Sequence, residues 1–198
     1  NDQVMVENKY SFEDGEDISM FKVYKEATME IVSEGATDGS KALRVNVGTL
    51  DSDYSGVNIR PTAPWNMGTK PKITMDVTNP CEKDIQLRCN VFDGNGAVRT
   101  FYFGVAAGET RTITIEKLGP SADNWGYDGY WGANDGLDTS NITLIQLYLW
   151  EDNPNGSGDA FIIDNLGIAL GIANDQVMVE NKYSFEDGED ISMFKVYK

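Results

Sequence analysis

A chain of 198 residues with 40% hydrophobic, 24% charged and 11% aromatic residues can bury a sizeable core, which excludes a disordered chain and makes disulfides unnecessary. Its 32 acidic against 16 basic residues give a net charge of −16, which repels phosphate backbones and anionic lipids, so neither nucleic acid nor membrane is an expected partner. Histidine is absent, which removes the usual general base, the commonest transition-metal ligand and any Ser-His or Cys-His nucleophile pair.

The first 25 residues, Asn1 to Lys25, recur unchanged as Asn174 to Lys198. Residues 1–173 therefore read as one unit, and residues 174–198 as either the start of a next repeat or a duplicated first strand. Tyr10-Ser11-Phe12-Glu13 and Tyr183-Ser184-Phe185-Glu186 compete for one strand position, which predicts self-association by strand exchange for the displaced copy. No signal-peptide pattern or membrane-length apolar run stands in the sequence, so the chain as given reads as soluble.

Beyond these residues the hydrophobic period is two. Strands are predicted over 29–32, 42–47, 57–60, 73–77, 85–91, 101–103, 113–115, 144–150 and 160–168, separated by Gly, Asn, Asp and Pro clusters. With a first strand near Tyr10, about ten short strands and no amphipathic helix predict an all-β, two-sheet β-sandwich of the jelly-roll kind. Trp65 either walls a cleft or plugs one end of the sandwich, the plug being favoured. Cys81 sits in the turn Asn79-Pro80-Cys81-Glu82-Lys83, while Cys89 shares a core-facing side with Ile85, Leu87 and Val91. A bond between a turn tip and a core position is geometrically awkward, so two free thiols are expected.

In 144–150 the aliphatic side takes Ile145, Leu147 and Leu149, which turns Gln146, Tyr148 and Trp150 the other way. The same parity turns Arg88, Asn90 and Tyr102 outward. Sugar rings pack an apolar face on aromatic rings and offer hydroxyls to planar amide and guanidinium groups, so this set suits glycan binding. The bland alternative is that a loop covers these rings as a second core. The loop bearing Trp125, Tyr127, Tyr130 and Trp131 among glycines and acids either walls a sugar cleft or plugs one end of the sandwich. Hard oxygen ligands suited to calcium occur at Glu13, in the turn Thr37-Asp38-Gly39-Ser40-Lys41 and at Asp164, a weak signal by spacing alone.

The order Phe-Glu-Asp-Gly near the start, Asp-Gly-Ser-Lys-Ala-Leu before a strand and Ile-Asp-Asn near the end resembles calcium-containing jelly-roll carbohydrate-binding modules attached to xylanases and glucanases. Pro64-Trp65-Asn66, Asp76-Val77-Thr78-Asn79-Pro80 and Ala107-Gly108-Glu109-Thr110 look more like the module preceding the catalytic barrel in β-agarases. The resemblance implies a structural calcium held by the side chains of Glu13, Asp38 and Asp164 and the carbonyls of Ser11 and Lys41, with Ser184 and Glu186 as substitutes from the duplicate. It also implies a secreted or cell-surface module that targets an appended enzyme to a polysaccharide. The acidic surface disfavours strongly sulfated or uronate chains and leaves neutral polymers of agar-type galactan, β-glucan, xylan or mannan type, among which the resemblance favours the agar-type galactan.

Catalysis is the less favoured reading. A glycoside hydrolase needs two carboxylates flanking the bond, and the acids of Glu13-Asp14-Gly15-Glu16-Asp17 crowd near a strand end instead. A polysaccharide lyase commonly needs a histidine or lysine beside tyrosine, and histidine is missing. The runner-up is a structural or adhesive repeat of a cell-surface protein, for which identical copies are also suitable.

Overall fold

Strands whose apolar residues alternate must press that face against another, and the computed structural model of the protein closes two antiparallel sheets on each other in this way. It describes residues 3–48, 54–118, 137–150 and 160–173. The elements are β1 (Gln3–Tyr10), β2 (Phe21–Tyr24), β3 (Thr28–Val32), β4 (Ala42–Asn46), β5 (Tyr54–Ile59), β6 (Ile73–Thr78), β7 (Ile85–Asp93), β8 (Val98–Val105), β9 (Thr110–Ile115), β10 (Ile142–Trp150) and β11 (Ala160–Ala173). One sheet runs β3-β4-β11-β6-β9, with β1 also on β11, and the other runs β2-β5-β10-β7-β8. The all-β jelly roll expected from the alternation is the fold observed, without a helix among the described residues.

Leu43, Val45, Met75, Val77, Phe161 and Ile163 of the first sheet and Val57, Ile59, Leu87, Cys89, Ile145 and Leu147 of the second are buried in one core. Each fully buried side chain of this size contributes roughly 1.5–3 kcal/mol, so the strand alternation is also the main source of cohesion. Cys81 and Cys89 are both free thiols, as the sequence predicted. Burial pushes the Cys89 thiol up to about 12, which removes it from thiolate chemistry. Trp65 is buried in the core, and its backbone exchanges hydrogen bonds of 2.8 and 2.9 Å with Ile142.

Several strands are longer than their apolar alternation reveals. β8 starts at Val98, but the fully buried Arg99 occupies what reads as a polar position. β2 was not expected as a strand: it is a four-residue edge whose Val23 is exposed, leaving Phe21 alone as a core signal. β11 continues to Ala173 because β1 supplies it with a partner from Leu166 onward.

The centre of β11 carries an irregularity that shapes the loop beside it. Its register with β6 shifts between Asp164 and Gly167, and Asn165 takes φ 51°, a left-handed conformation that asparagine tolerates. Over 160–163 its other edge pairs with β4, and over 166–173 with β1.

Candidate functional site

Registered antiparallel strands align side chains of one parity into rows across a sheet face. On the outer face of the five-stranded sheet, Tyr148 stands opposite Arg88 and Gly56, Arg88 opposite Tyr102, and Gly56 opposite Tyr24. The next row holds Lys22, Asn58, Gln146, Asn90 and Thr100. The structure thus brings Gln146, Tyr148, Arg88, Asn90 and Tyr102, singled out by parity, onto one surface. Tyr24, Tyr54, Asn58 and Lys22 join them from β2 and β5, and sequence reasoning missed all four.

Tyr148 corrects one expectation. It lies on the outward side but is only 4% exposed, because its ring stacks between Tyr24, with centroids 5.1 Å apart, and Tyr54, at 6.2 Å. Gly56 permits this: a Cβ there would fall 2.9 Å from Tyr148 Cδ1 and 2.0 Å from the Leu147 carbonyl oxygen. The Tyr148 hydroxyl donates to Asn58 Oδ1 at 2.5 Å, and burial, the largest influence on it, raises the phenol's pKa. Tyr148 is therefore the base of an aromatic platform whose accessible rings are the half-buried Tyr24 and Tyr54.

The polar half is equally ordered. Arg88 lays its guanidinium carbon 4.4 Å from the Tyr54 ring centroid and 5.8 Å from that of Tyr102, so both rings flank one cation. Its Nε donates to Asn90 Oδ1, which also accepts from Thr100 Oγ1, while Asn90 Nδ2 donates to Gln146 Oε1. Asn90, buried as a hub, is a positioning group for Arg88 and Gln146. Past the end of β5, Arg60 borders a hollow of about 460 Å³ walled also by Asn8, Tyr10, Asp17 and Trp65.

Trp150 ends β10 with its backbone opposite Tyr54, and its side chain lies outside the described residues. Trp125, Tyr127, Tyr130 and Trp131 lie outside them too, as do Ser184 and Glu186 of the duplicate.

The residues implied as calcium ligands meet at the junction between the first strand, the 37–41 turn and the β11 bulge. Glu13 accepts from the amides of Ser40 and Lys41 at 2.7 and 2.8 Å and from Ser40 Oγ, which holds its carboxyl below the ordinary value. Asp38 accepts from Ser11 Oγ and lies 3.3 Å from Lys9 Nζ, with the same effect on its carboxyl. Asp164, fully buried, accepts from the amides of Thr37, Asp38 and Asn165. The carboxylates answer N–H and O–H donors and do not converge on one point: among the described residues no group of three His, Cys, Asp or Glu side chains is placed to hold a metal ion. In this arrangement the three carboxylates are satisfied by the protein's own donors. Excess EDTA is accordingly expected to shift the melting temperature by less than about 1 °C. A drop of several degrees, reversed by added calcium, would show that an ion displaces these donors.

β-Agarase B of Vibrio sp. (strain JT0107) is 28% identical over 172 residues, covering 78% of this chain and 17% of that protein. A solved exo-β-agarase superposes with a TM-score of 0.62 at 21% identity, over 84% of this chain and 25% of the other. The family 11 carbohydrate-binding module from Clostridium thermocellum, solved with a β-1,3-1,4-mixed-linked tetrasaccharide, gives a TM-score of 0.52 at 20% identity, over 82% of this chain and 94% of that one. This chain thus spans only a small part of the agarases it matches. Residues 11–177 match the family described as "Agarase CBM like domain", and the chain belongs to that family.

Proposed function

We propose that the chain is a non-catalytic module that binds a neutral polysaccharide on the outer face of its five-stranded sheet and so holds an attached enzyme on that polymer outside the cell. One observation carries the reading: Tyr24, Tyr54 and Tyr102 share one sheet face with Arg88, Gln146 and Asn58. Rings that take the apolar side of a pyranose there lie within a strand or two of amide and guanidinium donors for its hydroxyls. The agarase relatives favour agar-type galactan over β-glucan, xylan or mannan. Trp150 and the loop residues Trp125, Tyr127, Tyr130 and Trp131 are proposed as further stacking surface.

The carboxylates described above are occupied by structural hydrogen bonds, which argues against their use as an acid–base pair. Affinity electrophoresis of the chain in gels containing agarose, β-glucan, xylan or mannan tests the proposal. Retardation is expected in the agarose gel with no release of reducing ends. Unretarded migration in all four gels would refute it.

A further inference from the structure

The chain carries two candidates for one place in the sheet. Residues 3–10 run antiparallel to β11, with Gln3 opposite Ala173 and Tyr10 opposite Leu166. Residues 176–183 have the same sequence, and only Asn174 and Asp175 separate Gln176 from Ala173. A segment that turns back on β11 through a two-residue loop places its first residue opposite Ala173 and its eighth opposite Leu166. That is the register β1 already has. Two-residue hairpin loops need positive φ at their central positions, and Asn and Asp are among the non-glycine residues that enter this region most readily.

We propose that residues 176–197 are an interchangeable occupant of the β1 and β2 places, so that one core is completed either by residues 1–25 or, in a circularly permuted arrangement, by residues 174–198. The repeat supplies each side chain the places require. Phe185 corresponds to Phe12, Glu186 to Glu13, and Phe194 and Tyr197 to Phe21 and Tyr24. A two-residue hairpin closes at a small cost in chain entropy, so the second copy is able to compete with the first. Lys25 and Glu26 are exposed residues that both hold positive φ, at 53° and 61°, a strained turn that relaxes when the first copy leaves. The displaced copy is then a free strand of the right sequence for β11 of a second chain.

The test uses the full chain. Phe12 is 2% exposed, so Phe12→Asp removes an essential core contact from the first copy, and Phe185→Asp does the same to the second. Each single variant is expected to lower the melting temperature by less than about 3 °C, and the double variant by about 10 °C or more. The substitutions also give the two copies different masses. Hydrogen exchange with mass spectrometry should therefore show, in Phe12→Asp, protection lost from peptides spanning residue 12 and retained in those spanning residue 185. Either single variant falling as far as the double, or Phe12→Asp keeping its melting temperature with the first copy still protected, would overturn the proposal.

Discussion

Asp164→Ala is expected to lower the melting temperature by about 10 °C or more. Asp164 is wholly buried, and its two oxygens accept from three backbone amides, those of Thr37, Asp38 and Asn165. Alanine leaves those part-buried donors without their acceptor, at up to about 1–3 kcal/mol each. For a domain of this size each kcal/mol moves the midpoint by about 2–4 °C. Asp164→Asn keeps one oxygen and turns the other position into a donor, so an intermediate loss is expected. Thermal unfolding by circular dichroism distinguishes the three proteins. An alanine variant within 3 °C of the parent would show that the junction is not held by this carboxylate.

The neighbouring acid gives the pH dependence its sign. Burial is the largest single influence on Asp76 and pushes its carboxyl up, but hydrogen bonds from Thr112, Thr37 and Asn165 together outweigh it and hold the pKa below its ordinary value. A carboxyl depressed in the folded state contributes stability that is present above its unfolded pKa of about 4 and lost as pH falls through the folded value. The melting temperature should therefore fall steeply below about pH 4, and Asp76→Asn should flatten that limb.

Arg88→Ala is expected to weaken binding of the preferred polysaccharide at least tenfold, about 1.4 kcal/mol, with the melting temperature within about 3 °C of the parent. The guanidinium is half-buried against Tyr54 and Tyr102, so its loss removes both a donor for sugar hydroxyls and the cation that orients the two rings. Tyr148→Ala should behave differently. It removes a buried ring that supports Tyr24 and Tyr54, so affinity and melting temperature should fall together. Isothermal titration beside thermal unfolding separates the two outcomes. Parent-like affinity in Arg88→Ala would move the site off this face.

The parts of the face that were readable in advance share one property: they sit on long, central strands. β7 and β10 alternate over several residues, so parity alone turned Arg88, Asn90, Gln146 and Tyr148 to the same side. Tyr24 and Tyr54 escaped because they lie on the edge strand β2 and at the start of β5. There Ser55 and Gly56 interrupt the apolar pattern, and burial comes from neighbours instead of from alternation. The junction acids were legible as a group of motifs, but the motifs do not say which atoms answer them. Backbone amides of the 37–41 turn reach Glu13 and Asp164 across sequence separations of 27 to 127 residues, which no local pattern shows.

The sequence by itself determined the fold class, the inward and outward sides of the central strands, the free thiols and the identity of the two terminal copies, because period-two alternation and exact repetition are local properties of a chain. Only the tertiary structure decided that Tyr148 lies beneath other rings, that four more residues complete the face, and that the β1 register matches a two-residue hairpin. Each of those depends on which strands become neighbours and in what register, and pairing between distant segments is set by the packing of the whole core.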